Sequence, residues 1–200
     1  MKRFQRTPKN LPYRRNVFIL TEGEETEEAY LRIVERLFNL KAAVQLVFPC
    51  HESAIQALLD GANKVVKRKD YHARYGDEIW IVLDRDEKDH FIPQFKKLGK
   101  WEKDSTNFHV ALSTPRFEYW LLLHFMEHPT KASALSDSFV EKLLPRFKHL
   151  PIGTPTITRE NILKAIERAG RREVPTCSTP DVLGTGMGVL LKSLPGIEQQ

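Results

Sequence analysis

Cysteine is almost missing from this chain. Cys50 and Cys177 are the only two, and they lack metal-type spacing, which argues against a disulfide framework and a zinc knuckle. No apolar run approaches the roughly 18 residues of a membrane-spanning helix. The first residues lack the apolar core of a signal peptide, so the expectation is a soluble cytoplasmic protein with no membrane contact. There is no internal repeat, no low-complexity tract and no G-x-x-x-x-G-K-[ST] loop, which excludes a P-loop nucleotide site within these 200 residues. Acids are absent from residues 1–15, which carry Lys2, Arg3, Arg6, Lys9, Arg14 and Arg15. Such a flexible basic arm can track phosphates, or be a solvated tail and nothing more.

The apolar content of 41% is enough for one elaborated domain. Between residues 17 and 112 the periodicity alternates between strand and helix, as in βαβ units around a parallel sheet. The spacing predicts strands over Val17–Leu20, Val44–Phe48, Ile79–Leu83 and Phe108–Leu112. Between them lie helices carrying Tyr30 to Phe38, Ile55 to Val66 and Phe91 to Leu98. Ile79–Leu83 is apolar at consecutive positions, as a strand covered on both faces must be. Beyond Ser113 the pattern turns helical, with helices expected over Pro115–Phe125, Phe139–Phe147 and Ile162–Ala169, the last closed by Gly170. The expected architecture is α/β, a central, mostly parallel four-stranded sheet with helices on both faces, plus a C-terminal helical extension. Its parts are a basic arm at 1–15, a core at 16–125 and an extension at 126–200 packed on that core.

Two acidic clusters each follow an apolar strand: Thr21-Glu22-Gly23-Glu24-Glu25-Thr26-Glu27, and Asp84-Arg85-Asp86-Glu87. Parallel strands would bring both to the carboxyl edge of the sheet, where open α/β folds bind their ligands. Carboxylates gathered there repel one another unless a proton or a cation offsets the charge, and oxygen ligands suit magnesium or manganese. Asp84 and Asp86, at i and i+2 of an extended segment, project to one side while Arg85 points elsewhere. Acids after a strand also serve as helix N-caps and macrodipole partners. That reading suits Glu24, Glu25, Glu27 and Glu28 better than Glu22, Asp84 and Asp86.

These motifs, together with Ser113-Thr114-Pro115-Arg116-Phe117-Glu118-Tyr119-Trp120-Leu121-Leu122-Leu123-His124-Phe125, resemble the RloB-like family. That family includes the AbiLii-type abortive-infection proteins. Glu-Gly after the first strand and Asp-x-Asp after a later one also resemble the Toprim domain of topoisomerases, primases and OLD-type nucleases. The resemblance covers residues 13–125 with specific motifs and the C-terminal helices more loosely. It implies a Toprim-like fold and a Mg2+- or Mn2+-dependent nuclease that cleaves DNA or RNA in anti-phage defence, under control of an ABC- or AAA-type ATPase encoded nearby.

Carried over by position, the resemblance makes Glu22 a catalytic metal ligand or general base, Asp84 and Asp86 catalytic metal ligands, and Glu118 a further catalytic acid. The second acid of the Toprim first motif, four residues after Glu22, is here Thr26, with Glu27 next to it. Arg14, Arg15, Arg85 and Arg116 are candidate nucleic-acid contacts, each with a salt-bridge or surface alternative. The family's C-terminal Asn-Pro-Ser-Thr-like segment is echoed only by Gly184-Thr185-Gly186. A non-catalytic Toprim-derived subunit that binds nucleic acid or the ATPase is the alternative, and self-assembly stays open. His124-Phe125-Met126-Glu127-His128 also fits the H-x-x-E-H pattern of inverted zinc peptidases, a short pattern that arises by chance.

Overall fold

Alternation along the central strands sets the layering. In β1 (Val17–Thr21), Val17 and Ile19 face one core while Phe18 and Leu20 face another. In β3 (Glu78–Asp84), Trp80 and Val82 join the first core, and Ile79, Ile81 and Leu83 join the second. Successive side chains of a strand point to opposite faces, so strands apolar at every position demand cover on both sides.

The computed structural model describes residues 13–23, 26–40, 43–47, 55–85, 92–138 and 157–197. On one face of the sheet lie α1 (Thr26–Leu37), α4 (Glu118–Leu122), α5 (Lys131–Leu135), α6 (Arg159–Gly170) and α7 (Met187–Ser193). The other face is covered by α2 (Ile55–Val66) and α3 (Ile92–Lys103), which contribute Ile55, Leu58, Val65, Phe95, Leu98 and Trp101. The helix α6 is opened by Thr158, whose hydroxyl accepts from the Asn161 N–H while the Asn161 side chain accepts from the Thr158 N–H.

The sheet order is β2-β1-β3-β4-β5, with β2 at Val44–Val47, β4 at Phe108–Thr114 and β5 at Gly184–Thr185. The first four strands run parallel, and β5 is antiparallel to β4. From β1 the chain goes outward to β2 through α1, then returns past β1 to β3 through α2. The strand order therefore reverses between β1 and β3, and such a switch point opens a crevice at the carboxyl ends of the two strands.

The structure corrects the expectation of four strands. The fifth is two residues long and carries no apolar run, so periodicity cannot reveal it. Backbone pairing with the edge of β4 and a 2.9 Å hydrogen bond between the Ser113 and Thr185 hydroxyls hold it there. Its neighbours need glycine for close approach. A Cβ on Gly186 would lie 2.8 Å from Ala111 Cα, and one on Gly188 would lie 2.9 Å from the Ala169 Cβ. The apolar stretch 115–125 is helical only over Glu118–Leu122, and α3 runs on to Lys103. The helix expected over Phe139–Phe147 lies outside the described residues.

Candidate active site

The acids converge where the strand order reverses. The backbone N–H of Glu22 donates to the Val82 carbonyl at 3.1 Å, which prolongs the pairing of β1 with β3. From there its side chain reaches across, and Oε2 accepts from the Asp84 backbone N–H at 3.3 Å. The turn after Glu22 is tightened by the Thr21 hydroxyl, which donates to the Gly23 carbonyl at 3.0 Å.

Asp84 closes β3 opposite Ser113 of β4. The Phe117 backbone N–H favours the charged form of its carboxylate. Its Oδ1, however, is sealed from solvent and has no hydrogen-bond partner among the described residues. An unpartnered buried carboxylate oxygen costs free energy unless a proton or a cation satisfies it. The pKa of Asp84 is raised well above the ordinary carboxylate range, chiefly by burial and then by the charge of Glu27, with Glu118 and Glu22 adding to it. The Phe117 N–H opposes that rise.

Glu27, the acid next to the Thr26 position of the first motif, is buried. It is 7% exposed, and its pKa is raised to about 7, first by burial and then by the charges of Glu118 and Glu22. First-turn acids of a helix ordinarily face water, as Glu28 does in pairing with Arg32 at 2.7 Å. Glu27 instead stands in phase with the buried stripe Tyr30, Leu31 and Val34. An acid on the apolar face of an amphipathic helix was the signal available in the sequence. Gly23 makes room for it, since a Cβ there would lie 2.5 Å from the Glu27 carboxyl carbon.

Glu118 opens α4 and lies 3.3 Å from Arg116 Nε. Arg116 is further tied to the Ala134 carbonyl at 2.8 Å and to Asp137 at 2.6 Å, so it braces the loop after β4. Asp86 lies outside the described residues. The structure thus brings together Glu22 from the turn after β1, Glu27 from α1, Asp84 from β3 and Glu118 from α4.

Of the candidate arginines, Arg116 stands beside Glu118, and the other three lie elsewhere. Arg85 is 8% exposed, ion-paired with Asp181 at 2.9 Å and set over the Phe95 ring at 5.7 Å. Arg14 and Arg15 precede β1, at the amino edge of the sheet and opposite the acids. Arg14 is exposed, while Arg15 pairs with Glu78 at 2.7 Å and donates to the Ser193 carbonyl. The two imidazoles of the H-x-x-E-H pattern do not share a site. His124 is 2% exposed, with Nδ1 3.1 Å from the Trp120 carbonyl and Nε2 3.1 Å from the Tyr30 hydroxyl. His128 is an exposed side chain 2.8 Å from Arg172.

All the gathered donors are carboxylate oxygens, the chemistry that hard divalent cations prefer, and the Asp84 Oδ1 lacks a partner among the described residues. In chemistry the residues fit a magnesium or manganese ion. As the side chains stand, no three of the described His, Cys, Asp or Glu residues are close enough together to hold one. A complete ligand set would therefore need an acid outside the described residues, such as Asp86, or an inward movement of these carboxylates.

No helix among the described residues is long and apolar enough to cross a membrane. No curated protein and no solved structure matches the chain. The family model described as RloB-like protein matches residues 17–194, from the start of β1 to the end of α7, and so takes in every element of the sheet and each described acid of the site. The chain belongs to the RloB-like family.

Proposed function

We propose that this chain is a Toprim-type nuclease, dependent on Mg2+ or Mn2+, that hydrolyses phosphodiester bonds of DNA or RNA. The observation that carries the reading is the convergence of Glu22 and Asp84 at the switch point, with the Asp84 Oδ1 unpartnered among the described residues and Glu27 and Glu118 adding their charges. Glu22, Asp84 and Asp86 would hold the ion. A divalent ion bound there supplies charge to polarise a phosphodiester and to acidify the attacking water. Glu27, with its pKa raised to about 7, can take or give a proton near neutral pH, as a general acid or base must. Arg116 holds Glu118 in place at the start of α4.

The resemblance to AbiLii-type proteins supports a role in anti-phage defence, with a separate ATPase of the ABC or AAA type as its switch. The chain has no P-loop of its own. A second reading, a non-catalytic subunit that binds nucleic acid or the ATPase, draws support from the lack of a ready three-ligand grouping among the described residues. One experiment separates them. The purified chain, with and without the product of the neighbouring gene, is incubated with DNA, tRNA and bulk RNA in Mg2+ or Mn2+. Cleavage lost in Asp84→Ala/Asp86→Ala supports the nuclease. Cleavage that survives those changes overturns the metal site, and binding without cleavage under every condition favours the subunit.

A further inference from the structure

The strand end that carries Asp84 leads directly into a second feature, on the α2 and α3 face of the sheet. A cleft of about 650 Å³ lies between α3 and the loop 177–181, and Lys96, Lys100 and Lys103 line it. These lysines recur at i, i+4 and i+7, so they form one row along the helix. All three are exposed, and none makes an ion pair with a described residue. The cleft also contains Asp104 and Asp181, but Asp181 is engaged by Arg85 at 2.9 Å. Two features fix its walls. Cys177 packs against Gly99, where a Cβ would lie 3.0 Å from the Cys177 Cβ, and Arg85 lies over Phe95.

Direction matters as much as charge. Helix α3 begins on the carboxyl side of β3 and runs back toward the amino end of β4. Lys96 is therefore nearest the acid cluster, and Lys103 lies farthest from it. Seven residues of helix rise about 10 Å, so the three flexible side chains can reach neighbouring phosphates of one strand. The acids repel a polyanion, so a nucleic acid that reaches them needs a cationic track beside them.

We infer that the cleft between α3 and the loop 177–181 binds the phosphodiester backbone of a nucleic acid through Lys96, Lys100 and Lys103, and guides it toward Asp84. This rests on the nucleic-acid reading above, yet binding and cleavage are separable. Flexible lysines act as point charges on phosphates and carry no base preference, so the track is indifferent to sequence.

The test is fluorescence anisotropy of the full chain with labelled single-stranded DNA, duplex DNA and a hairpin RNA, in chelator and over a salt series. The variants are Lys96→Ala/Lys100→Ala/Lys103→Ala, the matching triple arginine variant, and Lys97→Ala, which changes an exposed lysine of the same helix outside the cleft. The triple alanine variant is expected to bind at least about tenfold more weakly. Its log K against log[salt] slope should fall in magnitude by about 2 to 3, as loss of three phosphate contacts requires. The arginine variant and Lys97→Ala should bind as the wild type does. The inference is overturned if the triple alanine variant keeps wild-type affinity and slope, if Lys97→Ala costs as much, or if the wild type binds none of the three probes. If no metal-dependent cleavage is found while the triple alanine variant still loses binding, the cleft stands and the nuclease reading falls.

Discussion

The carboxyl group of Glu27 lies against the backbone of Gly23, so closely that a Cβ at Gly23 would come 2.5 Å from its carboxyl carbon. The clashing group is the far end of a flexible side chain, which can swing away at small cost. Gly23→Ala is therefore expected to change stability by less than about 1 kcal/mol, because the surrounding packing need not move. It should nonetheless displace Glu27 from the acid cluster. The expected pair of results is a nearly unchanged melting temperature and at least a tenfold loss of metal-dependent cleavage. A glycine needed for chain conformation alone would give the reverse, lower stability with the remaining folded protein fully active.

Glu27 should also leave a mark on stability that needs no substrate. Its folded pKa is about 7 against an ordinary 4.5, so the folded state holds the proton more tightly than the unfolded chain does. The stability this contributes is fully present below pH 4.5 and is lost as pH rises through 7. The shift corresponds to roughly 3 kcal/mol. Glu27→Gln imitates the protonated form and removes the dependence. In urea titrations with chelator present, the variant should gain on the wild type between pH 5 and pH 8 by about 2 to 3 kcal/mol. An identical difference at the two pH values would rule out a buried, proton-hungry Glu27.

The sheet and half of the acid cluster were legible from two apolar runs, Val17–Leu20 and Ile79–Leu83, because strands covered on both faces must read as continuous apolar segments. Glu22 and Asp84 followed from being next in the chain. Glu27 is less legible because a first-turn acid has a ready surface explanation, and only its phase with Tyr30 and Val34 points inward. The stretch 115–125 reads as one helix in sequence, yet burial on every side carries no period, so its apolar residues mark depth rather than length. Arg85, beside Asp84 in sequence, points instead to Asp181, nearly one hundred residues away in the chain, and no local pattern announces such a pairing.

His124 and Tyr30 form a buried polar pair whose protonation follows from their partners. The Trp120 carbonyl can only accept, so Nδ1 of His124 carries the hydrogen, Nε2 accepts and the Tyr30 hydroxyl donates. Burial pushes the His124 pKa down to about 4. Tyr30→Phe would leave Nε2 buried without a donor, at a cost of about 1 to 3 kcal/mol at neutral pH. Because the folded pKa is depressed, the stability linked to His124 is present above its ordinary 6.5 and is lost as pH falls through 4. The advantage of the wild type over His124→Gln should therefore shrink as pH is lowered from 7 to 4, as read by chemical denaturation. A constant difference would mean that the imidazole is not held neutral.

The glycines around β5 allow packing to be distinguished from chemistry in the segment that echoes the family's C-terminal motif. At Gly186 an added methyl would meet backbone, with Ala111 Cα at 2.8 Å and the Leu112 nitrogen at 3.2 Å. At Gly188 it would meet the Ala169 methyl at 2.9 Å, across the contact between α7 and α6. Backbone cannot be trimmed, but a methyl can. Gly186→Ala is thus expected to cost about 2 to 3 kcal/mol by overpacking, with no second substitution at position 111 able to recover it. Gly188→Ala should cost less when Ala169→Gly is also present, with a coupling energy of at least about 0.5 kcal/mol in the double-mutant cycle. Denaturant titrations of the single and double variants measure both quantities. If Gly186→Ala instead folds with wild-type stability and loses cleavage, the glycine serves a bound ligand, and the close approach to Ala111 is not its reason.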